Sequence, residues 1–233
     1  MVKEEFKRPD GRKLEDTRKI EAKVGVVPNA DGSAMFSFGD TIAIAAVYGP
    51  KQLHPQHLQN PKTGVLRCNY SMLSFSVTER IRPGPNRRGM EIGKVTEWSL
   101  LPALKMEEFP GTVVDVHINI LQADASTRCA GINAASLALA HAGLPMKGLV
   151  TSVSIGKLDK TLVVDVSKEE EDWEDGEGAT DIAFALADGK VSLLQLDGKI
   201  SPAQLREAHK LAEKTCKKIE QIQREALKAI KKA

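Results

Sequence analysis

Residues 113–145 read VVDVHINILQADASTRCAGINAASLALAHAGLP, and this stretch decides how the chain folds. Its first part, residues 113–121, is rich in β-branched residues and reads as a strand. An Ala-rich helix begins near Ser126 and carries Ala134, Ala135, Leu137, Ala138 and Leu139. It stops at Gly143, with Pro145 close behind, a common helix ending. The junction, Gln122-Ala123-Asp124-Ala125-Ser126-Thr127-Arg128, is where chemistry enters. A helix N-terminus offers unpaired backbone N–H groups and roughly half a positive charge. Ser126 and Thr127 add hydroxyl donors, and Arg128 adds a fork that can grip two phosphate oxygens. Together they form a phosphate cradle. The same Ser and Thr are also ordinary helix caps, and the junction alone does not separate the two readings.

Outward from this stretch, strands and helices intermix. Ala34, Phe36 and Phe38 alternate with small or polar residues, Gly39-Asp40 offers a turn, and residues 41–47 form a β-branched, Ala-rich run. Residues 65–77 are extended. A helix is expected over 90–107, with Ile92, Val95 and Trp98 on one face and a kink at Pro102. Residues 151–156 and 161–166 suit a hairpin, and Asp188-Gly189 turns between residues 182–184 and 191–194. Ser201-Pro202-Ala203-Gln204 is a capping box with proline at the first helical position, opening a long helix over about 201–231. Its apolar stripe is Leu205, Ala208, Ala212, Cys216, Ile219, Ile222, Ala226 and Ile230. There is no internal repeat, no long linker and no regular βαβ alternation. The expectation is an α+β fold, a two-layer mixed α/β arrangement with helices packed on mixed β-sheets. It forms one domain over 1–233, with an N-terminal arm of about 15 residues broken by Pro9-Asp10-Gly11.

The chain has 233 residues, of which 42% are hydrophobic and 27% charged, and this excludes disordered and collagenous classes. No apolar run is long enough to span a bilayer and the N-terminus has no apolar signal region, so the expectation is a cytoplasmic protein without a membrane partner. Cys68, Cys129 and Cys216 are scattered and unpaired, which fits reduced thiols rather than a zinc site. The five histidines, His54 and His57 among them, lack a metal-binding spacing and read as surface residues. Net charge is only +2, yet it conceals opposite local fields. Residues 167–181 are acidic, while the loop bearing Arg80, Arg82, Arg87 and Arg88 is basic. Aromatic residues are 4%, too few for a broad base-stacking platform. Walker A, GxGxxG and Gly-x-Ser-x-Gly patterns are missing, which withdraws support from nucleoside-triphosphate hydrolysis and serine-esterase chemistry.

Two further sets of residues carry chemistry. Arg87 and Arg88 lie in a Pro/Gly-rich loop and can grip successive backbone phosphates, or form a solvated basic loop. Asp175 and Asp181 stand six residues apart, about 20 Å if extended, and converge only if Gly176 and Gly178 bend the chain. A surface acidic run is the plain alternative. Carboxylates beside phosphates repel them unless a cation or a proton intervenes.

Taken in order, these segments resemble the RNase PH family of phosphate-dependent 3′→5′ exoribonucleases. The likeness is nearest to the catalytic RNase PH-like subunit of the archaeal exosome. It rests on Arg8-Pro9-Asp10-Gly11-Arg12, the Arg87-Arg88 loop before Met90-Glu91-Ile92, the Ala123–Arg128 segment, the Asp175/Asp181 pair and the long last helix. The resemblance implies phosphorolysis of RNA to nucleoside diphosphates, reversible to 3′ tailing. Ser126, Thr127 and Arg128 would hold the attacking inorganic phosphate, and Arg87 and Arg88 the RNA. Asp175 and Asp181 would be catalytic and bind Mg²⁺, with Mn²⁺ as the alternative, and Asp181 could instead protonate the leaving oxygen. Many relatives carry glycine at position 126, so serine there is a departure. The implied partners are single-stranded RNA, an inactive homologous subunit alternating with this one in a hexameric ring, and RNA-binding cap subunits. The alternatives are a homohexameric RNase PH trimming tRNA 3′ ends, a non-catalytic RNA-binding ring scaffold and, more weakly, a Mg²⁺-dependent hydrolase.

Overall fold

The computed structural model of the chain describes residues 8–172 and 179–229. The first sheet contains β1 (Ile20–Val24), β2 (Gly32–Phe38), β3 (Thr41–Gln52), β4 (Val65–Met72) and β5 (Thr112–Gln122), in the order β1-β2-β3-β5-β4. β4 runs parallel to β5 and the other pairs are antiparallel. The hairpin turn falls at Gly39-Asp40 as expected, and Phe36 and Phe38 are wholly buried. The second sheet joins β6 (Val150–Leu158), β7 (Thr161–Val164), β8 (Ala179–Ala187) and β9 (Lys190–Asp197), in the antiparallel order β7-β6-β8-β9. Its β8–β9 turn places Asp188 and Gly189 at φ +50° and +72°, the left-handed pair a tight hairpin needs.

Helices pack on both sheets. α2 (Thr127–His141) has every residue from Cys129 to Leu139 buried. It touches β2 and β3 of the first sheet and β6 of the second, which refines the expected layering: α2 is a middle layer shared by both sheets. A helix apolar all round is buried all round, and alanine lets two sheets approach one helix closely. At Gly32 of β2, an added Cβ would lie 2.3 Å from the Ala138 carbonyl oxygen, so only glycine allows this approach.

α1 (Arg87–Leu100) begins earlier than expected because Asn86 Oδ1 accepts a hydrogen bond from Gly89 N at 2.6 Å. It also ends earlier: Pro102 lies in a 3₁₀ turn, Leu101–Ala103, that terminates the helix rather than kinking it. Its buried face is Ile92, Gly93, Thr96, Ser99 and Leu100, and Trp98 is 58% exposed. The small face wins because Gly93 seats the helix against the Cys68 carbonyl of β4, where a Cβ would come within 2.7 Å.

α4 (Pro202–Ala229) opens with the expected capping box: Gln204 N donates to Ser201 Oγ and Ser201 N donates to Gln204 Oε1. Its buried residues are Ala208, Ala212, Thr215, Cys216, Ile219 and Gln223. Ile222 is only half-buried. Gln223 takes the inward place, donating to Asn133 Oδ1 at 3.0 Å. Ile230 lies outside the described residues.

From residue 8 onward the N-terminal arm is anchored to the second sheet and to α3 (Lys168–Glu171). Arg8 is buried, makes a forked ion pair with Glu170 (2.7 and 2.8 Å) and donates to the Val164 and Asp165 carbonyls. All three cysteines are free thiols, and burial pushes Cys129 and Cys216 up to about 12. His54 and His57 are exposed. Among the described residues, no helix is long and apolar enough to cross a membrane.

Candidate nucleic-acid and phosphate site

The end of β5, the start of α2 and the start of α1 meet at one cleft of about 670 Å³, within the usual range for a ligand site. Arg88, Ser126, Thr127, Arg128 and Asp181 all line it. A second hollow of about 380 Å³ adjoins it and shares Arg88, Arg128, Glu171 and Asp181. The groups expected to meet from distant stretches do meet. Arg87 does not join them. It is exposed in the first turn of α1 and lines neither hollow. Asp175 lies outside the described residues.

At the head of α2 the backbone is strained. Ala125 and Ser126 both adopt left-handed conformations, φ +54° and +53°, at a cost of about 1 kcal/mol or more per non-glycine residue. Glycine would take this conformation without the penalty, which gives the Ser126 departure a physical meaning. The Ser126 hydroxyl turns inward, 2.6 Å from Ser154 Oγ and donating to the Val166 carbonyl at 3.1 Å. It neither caps the helix nor faces the cleft as a donor, contrary to the expectation. The N-cap residue Ser126 makes no side-chain cap, and uncapped first-turn N–H groups are the kind that can bind an anion.

Arg128 is held by Gln195 of β9, whose Oε1 accepts from Arg128 Nη1, while Gln195 Nε2 donates to Glu91 of α1 at 2.9 Å. Among the described residues Arg128 makes no salt bridge, so its charge is available to an anion. Tyr70, at the end of β4, lines the cleft with its hydroxyl buried and without a hydrogen bond of standard geometry. Burial pushes its phenol up, and the Thr127 hydroxyl, Arg88 and Arg128 oppose that.

Asp181 sits on β8, cross-strand from Asp197 of β9. Its Oδ1 is covered and has no hydrogen-bond partner among the described residues. Burial pushes its carboxyl up to about 6, and Glu171 and Asp197 add to the rise. Arg128 and the Ile182 backbone N–H pull the other way. A carboxylate so placed needs a proton or a cation. No group of three or more His, Cys, Asp or Glu among the described residues could hold a metal ion by itself.

Several contributors were not legible in sequence. Glu170 and Glu171 lay within a run read as solvated surface, yet Glu170 is fully buried and Glu171 lines the cleft. Both lie in the short helix α3 (Lys168–Glu171), whose Ser167-to-Glu170 capping box was available as a signal. Gln195 and Tyr70 carry no sequence signal of their own.

Two arginines, the start of α2 and a covered acid share this cleft on a two-sheet fold, an arrangement suited to an enzyme acting on phosphodiesters. Residues 16–145 match domain 1 of the RNase PH 3′ exoribonuclease family, and residues 148–215 match its domain 2. The chain belongs to this family and is a 3′→5′ exoribonuclease by class. It is 50% identical over 228 residues to "Exosome complex component Rrp41" of Thermococcus gammatolerans, covering 98% of this chain and 91% of that one. The protein of the same name from Methanopyrus kandleri is 45% identical over 230 residues, covering 98% and 95%. Among solved structures, rice Rrp46 superposes with a TM-score of 0.82 at 22% identity, over 93% of this chain and 98% of that one. A chain of the Archaeoglobus fulgidus exosome with RNA bound to the active site gives 0.78 at 24% identity, over 92% of each. These two structures show the fold.

Proposed function

We propose that the chain is the catalytic subunit of an archaeal-type exosome, degrading single-stranded RNA from its 3′ end by phosphorolysis. The observation that carries this is the sharing of one cleft by Arg88, Arg128, the uncapped start of α2 and the covered acid Asp181. The likeness to exosome Rrp41 proteins gives the setting.

In this reading inorganic phosphate rests on the first-turn N–H groups of α2, with the Arg128 fork across two of its oxygens. Arg88, which lines the same cleft, holds the RNA backbone. The phosphate oxygen attacks the last phosphodiester phosphorus, the bond to the 3′-oxygen breaks, and that oxygen takes up a proton. The terminal nucleoside leaves as its diphosphate. Run backwards, the same steps add nucleotides from diphosphates. Positioning and charge neutralisation supply most of the acceleration. The buried, unpartnered Oδ1 of Asp181 fits Mg²⁺, or Mn²⁺, which binds through one or two carboxylates plus substrate oxygens, with Asp175 as the second candidate ligand. Bound there, the ion would neutralise charge at the reacting phosphates. Asp181 as an ionised ligand is the reading we favour; proton donation to the 3′-oxygen is the alternative. In the assembly this subunit alternates with an inactive homologue in a hexameric ring that binds RNA-recognising cap subunits.

The test incubates the chain, alone and with a homologous ring partner, with single-stranded RNA, Mg²⁺ and variable phosphate. Nucleoside diphosphates that appear only with phosphate support the reading. Monophosphates would assign a hydrolase instead. Activity without the partner would assign a homohexameric RNase PH, and RNA binding without products a scaffold.

A further inference from the structure

The strained head of α2 is held by groups outside the cleft. Thr41 Oγ1 lies 2.8 Å from the carbonyl oxygens of both Asp124 and Ala125 and accepts from Asp124 N at 2.9 Å. Arg18 Nη1 donates to the Asp124 carbonyl and to Asp124 Oδ2. The remaining edge of the same guanidinium is taken by Asp165: Nη2 donates to Oδ1 at 2.7 Å and Nε to Oδ2 at 3.0 Å. Nη2 also reaches the Val166 carbonyl, the same carbonyl that accepts from Ser126 Oγ. On the far side, Asp124 Oδ1 accepts from Lys168 N, the first residue of α3. Arg18 therefore ties the backbone that precedes the phosphate-binding turn to the backbone that leads into α3 and its cleft-lining Glu171. Arg18 lines neither of these two hollows, and its side chain is only 9% exposed.

We infer that Arg18 is a positioning residue for phosphate: by joining Asp124 to Asp165 it keeps Ala125 and Ser126 left-handed and the α2 N–H groups aimed into the cleft. This rests on the phosphorolysis reading, because it assigns the α2 turn to the attacking phosphate. Lysine cannot replace it, since one ammonium cannot span both carboxylates in a fixed plane. If the clamp works by enforcing the left-handed pair, glycine at position 126, which adopts that conformation unaided, should partly replace it.

The experiment compares wild type, Arg18→Lys, Arg18→Met and Arg18→Met/Ser126→Gly in the full chain, assembled with its ring partner where activity requires one. Diphosphate release gives the KM for phosphate and for RNA separately, and phosphate-induced thermal shift gives binding without turnover. Arg18→Met is expected to raise the phosphate KM by about ten- to a hundredfold, the scale of a small misplacement at a reacting centre, while the RNA KM stays within about twofold. Arg18→Lys falls between, and the double variant recovers part of the loss. Equal rises in both KM values, or no recovery with glycine, would overturn the inference and leave Arg18 a general stabiliser. Should Arg18→Met not fold, Thr41→Val, which removes the second brace at equal volume, takes its place with the same expected split. If wild type neither releases diphosphates nor is stabilised by phosphate, the functional reading fails, an outcome distinct from an active wild type with unchanged variants.

Discussion

Asp181 shares the second hollow with Glu171 and Asp197, and burial pushes its carboxyl up to about 6. The folded pKa lies above the unfolded one, so the fold favours the protonated form. The stability penalty of ionising it grows from about pH 4 and is complete above about pH 6. Asp181→Asn should remove that penalty. We expect its melting temperature to exceed wild type by about 3–6 °C at pH 8, with the gap closing near pH 4, while turnover is lost. Calorimetry at the two pH values checks the first and diphosphate release the second. If the ionised carboxylate is the working form, kcat/KM should rise with pH through about 6. A profile that falls there would assign Asp181 the proton-donor role. At this scale residue chemistry and family likeness point to four side chains that line the cleft, Arg88, Thr127, Arg128 and Asp181. Ser126 is singled out for its hydroxyl, yet that hydroxyl is bonded inward, because rotamer and φ belong to the fold and not to the residue type.

The hairpins and long helices follow from local signals: Gly39-Asp40, Asp188-Gly189, Gly143 and the Ser201 capping box each sit where their element turns or stops. β1 is short and interrupted by charge (Glu21, Lys23), so its pattern gives little away. α3 was lost inside an acidic run because burial of Glu170 depends on Arg8, 162 residues away. That pair fixes where α3 starts, and α3 carries Glu171 into the cleft. Truncating Glu170 to Ala leaves the Arg8 guanidinium buried without its carboxylate. Such a loss costs about 3–5 kcal/mol, which urea unfolding will measure. Arg8→Met/Glu170→Met should cost less than Glu170→Ala alone, since it leaves no stranded charge. A double variant as unstable as the single one would argue that packing, not charge, holds α3.

Across the whole molecule the near-zero net charge hides a cleft lined by both signs of charge, Arg88 and Arg128 together with Glu171 and Asp181. RNA held through its backbone should bind with a salt dependence set by the phosphates contacted. Arg88→Ala is expected to weaken RNA binding and to lower the slope of log K against log salt by about 0.7, one single-strand contact. Titrations between 50 and 300 mM salt, about the range where screening changes most, will measure it. An unchanged slope would remove Arg88 from the backbone contacts. That both family segments converge on one cleft could not be read from sequence spacing, since Arg128 and Asp181 meet only after α2 has been enclosed by both sheets.

The tethering of Arg8 bears on how this chain can be shortened. A version cut back to residue 16, where the match to domain 1 of the family begins, would retain Arg18 and the complete cleft lining. It would also delete the guanidinium that neutralises Glu170 at the base of α3. Trimming a seemingly dispensable leader would thus act at long range on catalysis, with purified protein that folds yet processes RNA poorly.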